Sequence, residues 1–215
     1  MTPIRTSPLT EIWRRLRRST RALHRDHRGV AAIEFAMIFP LMLVTFFGTV
    51  EFCSAVAIDR KVTLIARTVS DLTSQAASTV DSNALTGIFT YGLLIITPYP
   101  STPVKAQVSE IYVDSTGKAK IQWSQGAVIT TSNSATLTTS TRNAGDDVTT
   151  VVPPALLIKK TYLIFSEVKY QYVPVVAWGM MANTGIALSD VSYTRPRQNT
   201  CITYNNLPAG NCPLT

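Results

Sequence analysis

The chain has 215 residues, enough for one membrane segment and one modest domain. Its net charge is +7, but eight arginines against Glu11 and Asp26 place +6 of it in residues 1–28. The pI of about 9.5 therefore describes a basic arm and not a basic domain. That argues against a nucleic-acid partner, which wants a basic face on a folded module.

The arm has two readings that the residues leave open. Trp13, Leu16, Arg17 and Arg18 suit a short amphipathic helix at an anionic inner leaflet; a disordered tail suits them equally. His24 and His27 sit three apart in it, with no carboxylate or cysteine cluster to complete a metal site.

From Val30 to Val50 the only charge is Glu34. A helix of about 21 residues spans roughly 32 Å, enough for a bilayer core. The apolar character runs on past Glu51 through Phe52, Ala55, Val56 and Ile58, without the small-residue exit of a cleaved secretory signal. The segment reads as an anchor. The arginines on its N-terminal side predict a cytoplasmic N-terminus and a C-terminal domain outside the cytoplasm. Helical spacing continues beyond the membrane length: Val62, Ile65, Val69, Leu72 and Ala76 form one apolar stripe. One helix is expected from about Gly29 to about Ala77, with Pro40 as a potential kink.

After Thr79 the pattern is read as period two. Phe89–Ile96 is an apolar run ended by a proline-rich turn at Pro98–Pro103. Val104, Ala106 and Val108, then Ile111 and Val113, predict a strand whose phase slips near Ser109–Glu110, as at a bulge. Asp114-Ser115-Thr116-Gly117 is a hairpin turn signal. Ala119, Ile121 and Trp123 are expected inward, with Lys118, Lys120 and Gln122 outward. Gln125–Thr150, rich in Ser, Thr and Asn, is expected to be mostly exposed loop with some edge strand, and Asp146-Asp147 a solvated turn. Pro153–Lys160 suggests a short helix. Thr161–Val173 is the strongest strand, with Tyr162, Ile164, Val168, Tyr170 and Tyr172 on one face. The tyrosines read as core and cross-strand pairs rather than a ligand platform. Pro174–Gly179 breaks it, and Ile186–Tyr193 is a last strand.

Cys201 and Cys212 could close a loop of about 12 residues in an oxidising compartment, worth roughly 3 kcal/mol in the chain-entropy account. Cys53, near the helix exit, reads as a small apolar packing residue.

The fold class is therefore α+β: a long N-terminal transmembrane helix extending into a domain with an antiparallel β-sheet, the helix stripe covering one sheet face. The expected division is a basic arm or leader over 1–29, a transmembrane helix over 30–52, its continuation over 53–80, a β-rich domain over 81–197 and a tail over 198–215.

Arg28-Gly29, Ala31-Ala32, Glu34-Phe35, Pro40 and Glu51-Phe52, set in one apolar run, resemble the signature of the TadE-like family, membrane proteins of the Tad (Flp-type) pilus system. VKYQYVPVV at Val168–Val176 and SYTRPR at Ser192–Arg197 are more loosely similar. The resemblance implies a minor-pilin-like or pseudopilin component of the inner membrane, with a periplasmic pilin-like domain. Its implied partners are the lipid bilayer, other pilin-like subunits, the Tad inner-membrane machinery and a prepilin peptidase. Related precursors are cut after a glycine, with glutamate fifth in the product. That maps onto cleavage between Gly29 and Val30, with Glu34 as the fifth mature residue. The Flp-type pattern has Tyr after the glutamate, where this chain has Phe35. Some larger relatives with von Willebrand-type domains stay uncleaved, and this chain has neither room for such a domain nor its Asp-x-Ser-x-Ser motif.

An ionisable group in a membrane segment is a functional candidate by default. Glu34 of one subunit could pair with the Val30 amine of a neighbour, each charge offsetting the other's poor solvation. Alternatively, Glu34 simply reaches the headgroups. Glu51 is a secondary interface candidate. No phosphate loop or nucleophile triad stands out, so neither an enzyme nor a cofactor is expected. The rival readings are an uncleaved single-span scaffold docking secretion or envelope partners, and a membrane-tethered sensor or enzyme domain.

Overall fold

The computed structural model describes residues 29–129, 134–174 and 185–205. They fall into two units, one ending at Val50 and the other beginning at Glu51. Helix α1 (Val30–Ser74) contributes to both. Its ends agree closely with the periodicity. Pro40 lies inside it, and the hydroxyls of Thr45 and Thr49 bond back to the carbonyls of Leu41 and Thr45, each at 2.8 Å. Such back-bonding satisfies polar side chains without a partner helix.

In the second unit α1 is followed by β1 (Thr79–Val80), helix α2 (Ser82–Leu94), β2 (Val104–Val113), β3 (Ala119–Ile129), β4 (Ala135–Thr138), β5 (Thr161–Tyr172), β6 (Ile186–Thr194) and β7 (Thr203–Tyr204). The chain is thus α+β. Five strands form an antiparallel sheet in the order β4-β3-β2-β5-β6, and β1 pairs with β7 in parallel.

Helix α2 corrects the reading of Phe89–Ile96 as part of a period-two region. Asp81 caps it, accepting from Ala84 N at 2.7 Å, which satisfies one of the orphan N–H groups of a first turn. Leu85, Phe89 and Leu93, four apart, are fully buried. That spacing puts them on one helical face, and tertiary packing overrides the strand-like look of the aromatic and β-branched residues. Gly92 lets α2 approach α1 closely: a Cβ there would meet Val69 Cγ2 at 2.6 Å.

The bulge exists, but on the other strand. Glu110 and Ile111 oppose Trp123 and Ile121, so Gln122 is the extra residue, on β3. Strand β2 runs in unbroken register against β5. The phase change in its apolar pattern has another cause: the sheet is covered on opposite faces at its two ends. Val104, Ala106 and Val108 face a core built with Ile58, Val62, Ile65, Ala66 and Val69 of α1 and with α2. Ile111 and Val113 face a second cluster with Leu163, Phe165, Val148 and Val152. The bulge also separates Trp123 from Ala119 and Ile121: Trp123 joins the helix-side core, and the other two join the second cluster. Gln122, expected outward, is buried at 5% exposure, while Lys118 and Lys120 are exposed as predicted.

Within Gln125–Thr150, β3 runs on to Ile129 and β4 forms an edge strand. Residues 145–148 then bond back to β3, with Ile121 N donating to Asp146 O at 3.0 Å and Val148 N to Ala119 O at 2.9 Å. The helix expected over Pro153–Lys160 is a single 3-10 turn, Pro154–Leu156. The Asp114–Gly117 turn joins β2 to β3 with Gly117 at φ +92°, a conformation that suits glycine.

Candidate functional site: an apolar helix and its fastening to the sheet

In the first unit every described residue, Gly29 to Val50, is exposed. The apolar side chains include Phe35 at 59%, Met37 at 76%, Leu41 at 67% and Val44 at 71% exposure. By length and composition α1 can cross a membrane. Such a surface in water would be an association site; a bilayer or packed helices would cover it. Glu34 and Val30 are four residues apart, hence on one helical face, and both are exposed. Among the described residues Glu34 has neither a hydrogen-bond nor an ion-pair partner. Gly29 stands exposed just before the helix. The arm, with His24 and His27, lies outside the described residues.

Within the second unit the outer half of α1 is tied down at two places. At its start, the Tyr172 hydroxyl donates to the Glu51 carboxylate. Burial, then the Glu51 carboxylate, push the Tyr172 hydroxyl up to about 12. Glu51 is thus engaged by the chain's own β5. At the helix end, Ser70 Oγ bonds with Ser192 Oγ at 2.9 Å and Thr194 Oγ1 at 3.0 Å. Arg197 pairs with Asp71 through its guanidinium, and its backbone N–H donates to Ser74 O at 3.0 Å. The β5 end and the Ser192–Arg197 segment are the two stretches that carried the looser resemblance, and each meets α1.

Residues 29–71 match the family described as TadE-like protein. The match runs from the glycine before α1 to Asp71, the partner of Arg197. It covers the stretch in which the sequence motif was read. No curated protein and no solved structure matches the chain.

Beyond the TadE-like segment lie polar groups that sequence reasoning did not single out. Glu110 is 1% exposed and accepts Ile202 N at 2.6 Å. Trp123, its direct cross-strand partner, donates Nε1–H to Ile202 O at 2.6 Å. Both backbone groups of Ile202 are therefore held by side chains, its own side chain is fully buried, and Tyr204 stacks on Trp123 at 5.5 Å. Burial pushes the Glu110 carboxyl up to about 8, against the opposing effect of the Ile202 and Trp123 hydrogen bonds. The one signal in sequence was an acid on the apolar face of a strand.

On the opposite sheet face Arg142 grips Glu167 with two bonds of 2.6 Å and lies 5.2 Å from the Phe165 ring centre. Gln107 donates to the same carboxylate. Its carbonyl accepts from Ser140 Oγ, Thr141 N and Thr141 Oγ1 at 3.0, 3.1 and 2.8 Å. Side chains paired in this way satisfy each other and fix a loop on the sheet.

The tyrosines serve in packing, as expected: Tyr170 and Tyr172 belong to the helix-side core, and Tyr162 lies against Tyr112 with centroids 4.8 Å apart. Asp146 and Asp147 accept backbone N–H groups of Asn143 and Thr149 in their loop. Cys53 is a free thiol, exposed in the single chain. Cys201 is buried at 5% exposure; Cys212, its expected disulfide partner, lies outside the described residues.

Proposed function

We propose that the chain is a minor-pilin-like or pseudopilin subunit that helps assemble or anchor Tad/Flp-type pili. In this reading the arginine arm is cytoplasmic, α1 crosses the inner membrane and the sheet domain lies in the periplasm, where Cys201 and Cys212 close a disulfide. Catalysis and cofactors have no part in it. The observation that carries the reading is the TadE-like helix itself: its first part presents an uncovered apolar surface around one carboxylate, and its outer part is built into a folded domain. A helix of this kind suits lateral packing with copies of itself or with related membrane helices.

Cleavage between Gly29 and Val30 would leave an amine on Val30. Glu34 would then accept a neighbour's amine and set the axial register of packed helices, since two poorly solvated charges together cost less than either alone. The test is the N-terminal sequence and intact mass of the protein from membranes with and without an active prepilin peptidase, together with Glu34→Gln. A mature chain starting at Val30, and a variant that inserts normally but fails to enter assemblies, are the expected results. An intact N-terminus with unchanged assembly of Glu34→Gln would overturn the pairing. It would leave the uncleaved scaffold, a reading that Phe35 in place of the Flp-type Tyr favours.

A further inference from the structure

Among the described residues, the sheet face opposite the helices is covered at one end. Beyond the Arg142–Glu167 pair it holds a hollow of about 280 Å³. Lys105 on β2 and Lys169 on β5, both exposed, stand directly opposite each other in register and line it. Like charges at directly opposed sheet positions are destabilising. Neither lysine ion-pairs with a described residue. The nearby acid is engaged elsewhere: Glu167 accepts from Arg142 through both oxygens and from Gln107. Arg142 and Glu167 cancel, so the hollow carries two unmatched positive charges.

Its floor is Gly126, where a Cβ would sit 3.0 Å from Thr138 Oγ1 and 3.0 Å from Thr139 O. The Thr138 hydroxyl therefore borders the same space that Lys105 and Lys169 line. Two cations and a hydroxyl donor around an open volume form the chemistry that receives oxygen anions.

We propose that this hollow binds a compact oxyanion, a phosphate or carboxylate group, between the ammonium groups of Lys105 and Lys169. The bound group relieves their mutual repulsion and accepts a hydrogen bond from Thr138. The volume leaves room for the moiety that carries the anion.

The experiment uses the full chain in neutral detergent. Lysine acylation is followed residue by residue by mass spectrometry, with exposed Lys118, Lys120 and Lys159 as internal references. The probes are inorganic phosphate and, separately, an acetylated hexaglutamate peptide. The expected result is a saturable slowing at Lys105 and Lys169, about fivefold or more, with the references unchanged. Calorimetric binding of the same probe should vanish in Lys105→Gln/Lys169→Gln and weaken severalfold in the near-isosteric Thr138→Val. Protection by phosphate assigns a free anion; protection by the peptide alone assigns an acidic chain segment of a partner. Protection by neither probe, or equal slowing at every lysine, overturns the site.

Discussion

Replacing Glu110 by Gln should stabilise the protein at neutral and mildly alkaline pH. Glu110 is buried on the helix-side face of β2, beside Trp123, Tyr112, Tyr162 and the Ile202 backbone, with no cation among these neighbours. Its carboxyl rises from 4.5 to about 8 because burial disfavours the charge. Between those values the folded chain keeps a proton that the unfolded chain has lost, so stability falls as pH rises. Each unit is worth about 1.4 kcal/mol, so the loss from pH 5 to pH 8 is about 4 kcal/mol from this group alone. A glutamine keeps an oxygen to accept Ile202 N–H and removes the titration. Urea or thermal unfolding of both proteins at pH 5, 6.5 and 8 reads the difference. The variant should differ little from the parent at pH 5 and exceed it by a few kcal/mol at pH 8. Groups common to both chains, the histidines of the arm included, cancel in the comparison. Parallel stability curves for the two proteins would refute the argument that burial holds the Glu110 carboxyl protonated in the folded chain.

Two further substitutions test the fastening of α1. Gly92→Ala would drive a methyl into Val69, which is fully buried and branched, and should lower stability by about 1–3 kcal/mol with a visible loss in melting temperature. Tyr172→Phe removes the donor to Glu51 and should cost about 1–2 kcal/mol in domain stability, read by unfolding, while membrane insertion measured by carbonate extraction stays unchanged.

The long helix was legible because its signal is repeated: apolar composition over a membrane length, then a stripe at three and four. The β2–β3 hairpin was legible from Asp114 to Gly117, where Asp114 accepts from Thr116 N at 2.7 Å and Lys118 N at 2.9 Å. What misled was the assumption of one covered face. Val104 to Val113 changes phase because burial moves from one side of a regular strand to the other. A residue pattern alone does not separate that from a bulge. Helix α2 had its cue in Asp81 and the four-residue spacing of Leu85, Phe89 and Leu93, obscured by aromatic and β-branched neighbours. The Ile202 clamp had almost none, since it joins residues 92 positions apart through a backbone group.

The sequence writes the same dipeptide twice on one helix, Glu34-Phe35 and Glu51-Phe52. By composition the two acids are equivalent candidates for an interface. Their surroundings separate them. Glu51 is half-buried and receives the Tyr172 hydroxyl of its own domain. Its removal should therefore act first on folding, and any effect on assembly should track stability. Glu34 is exposed amid apolar side chains and has no partner among the described residues. A charge so placed near lipid is costly unless a headgroup or another chain meets it. Its removal should leave the fold intact and act on association alone. Comparing Glu34→Gln with Glu51→Gln in one assembly assay, normalised to each variant's unfolding midpoint, separates the two roles of a residue that the sequence presents as one.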